Sequence, residues 1–229
     1  MSRRSPPRAR ALAIPVASAL ATALAAVLAV TGCASINRSR NLADPAVPGL
    51  VLAQQVCSNC HGMSGVAVSP NFPNLAAQGE PYFVAQMHGF KSHGRHDPAG
   101  FEYMWGLSRS LTDEQIAGLA TYYSGQTPAR QGAEGAPGRL DAGKEIFEKG
   151  VPDKNVPACA SCHGAHGEGM ATFPRLAGQH ADYLVKQLAV FQRTDDRPEG
   201  SIMKTVAHEL TQQNIDDVAG YLQALPGLQ

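Results

Sequence analysis

The apolar residues of this chain follow two kinds of pattern. Between Ala11 and Val30 they form a nearly continuous run rich in Ala, Leu and Val. Beyond Pro48 they return every three or four positions, the period of a single helix face. Ile116, Leu119, Ala120 and Tyr123 make one such stripe, with Thr112 as N-cap and Gln115 in the capping-box position. Thr211 stands in the same place before the last segment. Segments 81–90 and 182–192 read likewise as helices, the first entered by Pro81. Leu50 to Cys57 and Ala142 to Glu148 predict shorter ones. No stretch alternates with the period of two that a half-buried strand requires, so the predicted fold class is all-α.

The pattern is written twice. Phe72-Pro73-Asn74-Leu75-Ala76-Ala77-Gln78 returns as Phe173-Pro174-Arg175-Leu176-Ala177-Gly178-Gln179. A tyrosine follows each Phe ten residues on, Tyr82 and Tyr183, and the next phenylalanines, Phe90 and Phe191, are again equally spaced. Met104 precedes Leu111-Thr112 as Met203 precedes Leu210-Thr211, and the closing segments also correspond. This is a duplication of a unit of about ninety residues, the size of a small domain. Pro- and Gly-rich punctuation separates the copies. The expected layout is a leader at 1–32, a tether at 33–46, a first domain at 47–127, a linker at 128–138 and a second domain at 139–229.

Each copy contains one C-x-x-C-H motif, Cys57-Ser58-Asn59-Cys60-His61 and Cys159-Ala160-Ser161-Cys162-His163. This is the attachment signature of c-type haem: the thiols add to the two vinyl groups and the adjacent histidine becomes the proximal iron ligand. A thioredoxin-like redox pair would need a βαβ context that neither copy has. A zinc ribbon would need a much shorter gap than that between Cys60 and Cys159. Structural disulfides would not call for a histidine after both pairs. The candidate cofactor-binding residues are therefore Cys57, Cys60, Cys159 and Cys162, with His61 and His163 on the metal, for two covalent haems.

The start of the chain has its own logic. Arg3, Arg4, Arg8 and Arg10 form a basic stretch before the apolar run, the layout of an export signal. The run ends in Val30-Thr31-Gly32-Cys33, which resembles the lipobox of bacterial lipoproteins and implies cleavage before Cys33 with lipid on that cysteine. A transmembrane anchor and a plain secretory signal cut near Ala34 are the alternatives. Arg3-Arg4 lacks the apolar residues expected next in a twin-arginine signal. Ala34 in place of Asp leans towards the outer membrane. Without its four leader arginines the chain has 15 basic and 19 acidic residues, a balance of −4, so no nucleic-acid partner is suggested.

The two C-x-x-C-H-G motifs, Phe-Pro-x-Leu-Ala-x-Gln, a downstream Met and a Tyr-bearing final helix together resemble the two-domain class I cytochromes c, the c4 type above all. The resemblance covers residues from about 47 to the end. It implies a haem in each domain, packed against crossing first and last helices. It also implies that Pro73 and Pro174 accept a hydrogen bond from the proximal imidazole, that Leu75 and Leu176 wall the haem, and that electrons pass from a bc complex to a terminal oxidase.

For the sixth ligand, Met104 and Met203 are favoured by their matching places in a loop well downstream of the motif. A thioether there raises the potential, where a second histidine would lower it. Met170 lies only seven residues after His163, Met63 only two after His61, and Met87 sits within a helix. His88, His93 and His96 are the rival ligands in the first copy. Arg175 is a candidate partner for a haem propionate, although Asn74 stands in its place in the first copy. The leading expectation is a lipid-tethered, periplasmic electron carrier rather than an enzyme. A dihaem peroxidase or thiosulfate-oxidising enzyme would require an open, His- or Cys-ligated haem. A dedicated subunit of a dehydrogenase or reductase complex is the third possibility.

Overall fold

The structure, a computed structural model, describes residues 39–128 and 137–226, apart from the side chains of 137 and 138. The leader, Cys33 and residues 129–136 of the expected linker lie outside the described residues. In the first half, α1 (Gly49–Leu52) runs through a π-helical turn (Ala53–Cys57) into α2 (Ser58–His61). Then come α3 (Glu80–Lys91), a second π turn (Gly100–Met104) continuing into α4 (Trp105–Ser108), and α5 (Asp113–Ser124). The second half holds α6 (Pro137–Lys149), α7 (Ala160–His163), α8 (Ala181–Arg193), α9 (Ser201–Ala207) and α10 (Gln212–Ala224). Among the described residues, extended pairing is limited to two isolated bridges, Val151 with Val156 and Met170 with Phe173. The fold is all-α.

Local chemistry explains where the helices start. Thr112 Oγ1 accepts from Gln115 N at 3.2 Å while Gln115 Oε1 accepts from Thr112 N at 2.9 Å, a complete capping box. Thr211 forms the same box with Asn214, whose shorter amide does the work of the glutamine. Gln115 is buried and its Nε2 also donates to the carbonyls of Asp44 and Val47 at 2.9 and 2.8 Å. Residues 41–47, polar enough to be assigned mostly to the tether, are thereby docked on the first half through turns capped by Asn41 and Asp44. Helix α6 likewise starts at Pro137, inside the expected linker, where a proline opens a helix without losing a needed N–H.

Ile116, Leu119, Ala120 and Tyr123 are all buried, and they pack with Leu52, Phe83, Met87 and Phe90 into the first core. In the second half, Phe147, Leu184, Val218 and Leu222 form one cluster, and Val156, Phe191, Leu210 and Ile215 another. In both halves the first and last helices cross at a glycine. A Cβ on Gly49 would lie 2.5 Å from the Gln115 oxygen and 2.7 Å from the Leu119 nitrogen of α5. A Cβ on Gly143 would lie 2.6 Å from the Asp217 carbonyl carbon and 2.7 Å from Tyr221 Cβ of α10. Backbone cannot yield as a side-chain tip can. Gly143→Ala should therefore destabilise the protein by about 2–3 kcal/mol in guanidinium unfolding. Gly106→Ala, with nothing within 4 Å of the new methyl, should leave stability unchanged or raise it by up to ~1 kcal/mol.

The halves face each other through α3 and α8 with approximate two-fold equivalence. Arg95 and Arg197, both buried, stack on Phe90 and Phe191 at 4.5 and 4.6 Å from the ring centroids. Arg95 Nη1 donates to Gln86 Oε1 and Arg197 Nη1 to Gln187 Oε1, each at 2.6 Å. Each guanidinium then crosses the interface: Arg95 Nη2 reaches Gln187 Oε1 at 3.3 Å, and Arg197 Nη2 reaches Gln86 Oε1 at 2.8 Å. Asp97, 1% exposed, pairs with Arg95 at 2.8 Å, and Glu199 pairs with Arg197 at 3.0 Å. The charges are thus neutralised where they are buried, the condition for tolerating them there.

Candidate functional site

In each half the C-x-x-C-H motif forms a short helix, Ser58–His61 or Ala160–His163, with its first cysteine at the N-cap. The sulfurs of Cys57, Cys60, Cys159 and Cys162 are all half-buried. Burial pushes Cys57 and Cys159 up to about 11, with a backbone hydrogen bond opposing and the second cysteine of each pair adding to the rise. A C-x-x-C redox couple works with a depressed thiol pKa. The direction here is the reverse, and the described residues form helices without the βαβ context that such a couple needs.

His61 and His163 are buried directly after these pairs. The Nδ1 of His61 lies 2.9 Å from the Pro73 carbonyl oxygen, and that of His163 lies 2.9 Å from the Pro174 carbonyl oxygen. A carbonyl can only accept, so Nδ1 carries the proton in both rings and Nε2 keeps a lone pair for a metal. Burial lowers both imidazole pKa values, with the proline carbonyl bond opposing. The rings are therefore neutral donors with a fixed tautomer and orientation. Phe72 and Phe173 stand edge-on to them at 6.1 and 6.0 Å.

The methionines separate by position. Met104 ends the π turn Gly100–Met104 and packs, partly buried, against the first core. Met203 lies in α9 and packs against the cluster around Val156 and Phe191. Met63 and Met170 are 57% and 53% exposed, and Met170 is tied to Phe173 by paired backbone hydrogen bonds of 3.1 and 2.8 Å. Met87 is a core residue, as its helical position predicts. Of the rival histidines, His88 is exposed on α3. His93 packs edge-on against Phe101 and Trp105 at 5.6 and 5.0 Å, and His96 faces Asp196 of the other half at 3.3 Å. Both π turns of the first half end on a residue singled out by the sequence, Cys57 and Met104. Such turns insert one residue into a helix and re-aim the side chains that follow.

Whether these residues suit a haem can be judged from polar atoms left without partners. The Nε and Nη2 of Arg175 are buried and unpaired in a side chain next to Pro174. Burial pulls its pKa down, with Glu168 opposing. A buried guanidinium with these atoms unpaired calls for an anion, and a haem propionate is one. The hydroxyl of Tyr123, whose ionisation is opposed by burial and by the neighbouring Cys57, is likewise unpaired. The site residues fit the group. In the first half Asn74 stands in place of the arginine; its Oδ1 accepts from Ala67 N at 2.9 Å and its Nδ2 donates to Gly178 O at 2.8 Å across the interface.

The cytochrome c family model matches residues 46–125 and 140–226, one match over each copy of the repeat. The chain belongs to the cytochrome c family. It is 37% identical over 201 residues to cytochrome c-552 of Acidithiobacillus ferridurans, covering 87% of this chain and 85% of that one. It is also 37% identical over 180 residues to cytochrome c4 of Azotobacter vinelandii, covering 74% and 84%. The reduced cytochrome c4 structure from Pseudomonas stutzeri superposes with a TM-score of 0.68 at 35% identity, over 77% of this chain and 96% of that one. A further relative, the thiosulfate dehydrogenase electron acceptor of Thiomonas intermedia, is 34% identical over 176 residues, covering 74% and 78%. This cytochrome is of the two-domain c4 type and carries two covalent c-type haems, one for each cysteine pair.

Sequence reasoning missed the interface. Gln78 and Gln179 were visible as the last residue of the repeated heptapeptide. Tyr82, Gln86 and Phe90, repeated as Tyr183, Gln187 and Phe191, formed a mixed polar and aromatic stripe at helical spacing. A polar residue duplicated on a helix face that should be buried was the available signal.

Proposed function

We propose that His61 with Met104, and His163 with Met203, are the axial ligands of two six-coordinate haems. We further propose that the protein is a membrane-tethered periplasmic electron carrier between a bc complex and a terminal oxidase. Cys57 and Cys60 hold the first haem in a domain at 47–127, and Cys159 and Cys162 hold the second in a domain at 139–229. The observation that carries this reading is the equivalence of the halves. Each has a neutral histidine anchored to a proline carbonyl and one partly buried methionine packed on the core downstream. The haem supplies a one-electron couple, and a thioether opposite histidine places it high. The protein's part is to fix the imidazole, exclude water and neutralise propionate charge, for which Arg175 is available. With both axial positions filled by side chains there is no place for a substrate to bind, which favours a carrier over a peroxidase or other haem enzyme. The test is quinol-driven oxygen uptake by membranes stripped of their periplasmic cytochromes. Adding a catalytic amount of the oxidised protein should restore uptake, and failure to do so would remove these partners.

The Thiomonas relative supports a second reading, in which the donor is a thiosulfate dehydrogenase. Rapid reduction by such an enzyme with thiosulfate, and not by the quinol-oxidising complex, would favour it.

Anchoring rests on the Val30-Thr31-Gly32-Cys33 signature. Among the described residues, no helix is long and apolar enough to cross a membrane. Each buried lipid CH₂ contributes about 0.8 kcal/mol, so a multiply acylated Cys33 should hold the protein against salt and release it to detergent. Cys33→Ser should abolish palmitate labelling and leave both haems in place. An N-terminus found by mass analysis to be unmodified and to begin elsewhere would remove the tether but not the electron-transfer reading.

A further inference from the structure

The peptide group between Pro73 and Asn74 is held at both ends. Its carbonyl accepts from His61 Nδ1 at 2.9 Å, and its N–H donates to Gln179 Oε1 of the other half at 2.8 Å. The arrangement is mirrored: the Pro174 carbonyl accepts from His163 Nδ1 at 2.9 Å, and Arg175 N donates to Gln78 Oε1 at 2.8 Å. Each glutamine amide grips the same residue a second time, Gln179 Nε2 on Asn74 O at 2.9 Å and Gln78 Nε2 on Arg175 O at 3.2 Å. Both glutamines are buried, and a backbone N–H of their own half, from His180 or Gly79, also donates to each Oε1 and fixes which way the amide faces.

We propose that Gln179 and Gln78 are positioning residues that set the basicity of the proximal histidine, and hence the reduction potential of the haem, in the opposite domain. This rests on the assignment of His61 and His163 as iron ligands. The physical step is cooperativity along a chain of aligned hydrogen bonds, imidazole N–H to peptide C=O and peptide N–H to glutamine C=O. Accepting the peptide N–H draws electron density onto its carbonyl, which strengthens each bond by ~10–30% in a medium that water does not screen. A stronger acceptor pulls the Nδ1 proton further, gives the ring more imidazolate character and stabilises Fe(III) over Fe(II). Outer-shell partners of a ligating histidine act in this way. Unusually, the outermost member of each chain belongs to the other domain. Association of the domains therefore holds both potentials below the values that separated domains would show from this contact alone.

The test uses the full-length dihaem protein carrying Gln179→Met, which fills similar space but accepts no hydrogen bond. Each haem is titrated separately through its own ferric methyl resonances, and the His61 Nδ1–H resonance is followed in the ferrous protein. The potential of the haem on Cys57 and Cys60 should rise, its Nδ1–H signal should move towards the weaker-bonded position, and the haem on Cys159 and Cys162 should be unmoved. Gln78→Met should give the mirror image. An unmoved potential, a downward shift, equal shifts of both haems, or a shift confined to the haem of the mutated domain would overturn the proposal. Should either variant fail to mature, the wild type still decides: coupling across the hydrogen bond between Asn74 ¹⁵N and the Gln179 side-chain ¹³C must be detectable, and its absence also overturns it. The ligand assignment fails differently, through a wild-type His61 that shows no haem ring-current shift at all.

Discussion

Replacing Arg95 with Met should destabilise the folded dihaem protein by about 3–5 kcal/mol, the cost of leaving a buried carboxylate without its counter-charge. The carboxylate is Asp97, which receives Arg95 Nε at 2.8 Å and Nη2 at 3.3 Å and is almost wholly shielded from water. Burial alone would raise its pKa. The hydrogen bonds and charge of Arg95, the Gln187 amide at 3.2 Å and the charge of Arg197 outweigh that and hold it below the ordinary carboxylate range. A depressed folded pKa contributes stability that is present above the unfolded value and lost as the pH falls through the folded one. The gap between wild type and Arg95→Met should therefore be widest near neutrality and should narrow on acidification below the ordinary carboxylate range. Removing both partners, as Arg95→Met with Asp97→Leu, should recover much of the loss, because two apolar groups leave no orphaned charge. Guanidinium unfolding followed by far-ultraviolet circular dichroism measures all three proteins, with the covalent haems retained throughout. Equal stability of the single variant and the wild type would mean that the interface network contributes little.

The second large effect concerns the iron. Met203→His should keep both haems attached while lowering the potential of one of them by a substantial part of the ~0.8 V range over which axial ligands set haem potentials. The other haem should keep its wave in a spectroelectrochemical titration. Met170→Leu should change neither, since that side chain is half-exposed and pinned by Phe173 on the segment just after His163. If Met170→Leu moved the potential and Met203→His did not, the two roles would be reversed.

What the sequence made legible, and what it hid, follows from how local each feature is. The helices, the Thr112 cap and the buried stripe from Ile116 to Tyr123 depend on neighbours within two turns, so periodicity and capping chemistry reveal them. The cysteine pairs and their histidines are contiguous, and the duplication excluded coincidence. The proline carbonyls came from family resemblance, and the contacts at 2.9 Å agree with it. The docking of residues 41–47 was hidden because it depends on Gln115, about seventy positions away. The extension of α6 back to Pro137 was hidden because the preceding Gly and Pro residues read as punctuation. The interface was least legible of all. Arg95, Asp97, Gln86 and Gln187 look like solvated residues until the second half supplies their partners, about ninety positions away for Arg95 and Asp97. Where polar residues are duplicated on a helix face, the bland expectation of a wet surface is the one to doubt.

Ligation of both haems by histidine and methionine can be read from near-infrared magnetic circular dichroism of the ferric wild-type protein. The position of the low-spin charge-transfer band reports the axial pair. Its intensity, set against the haem content, reports how many sites share that pair. One histidine–methionine species with the intensity of two haems per chain is expected. A high-spin component, or a second low-spin species with two nitrogen ligands or a thiolate at half the total intensity, would show that one site is open or differently ligated, and the carrier reading would give way to an enzymatic one.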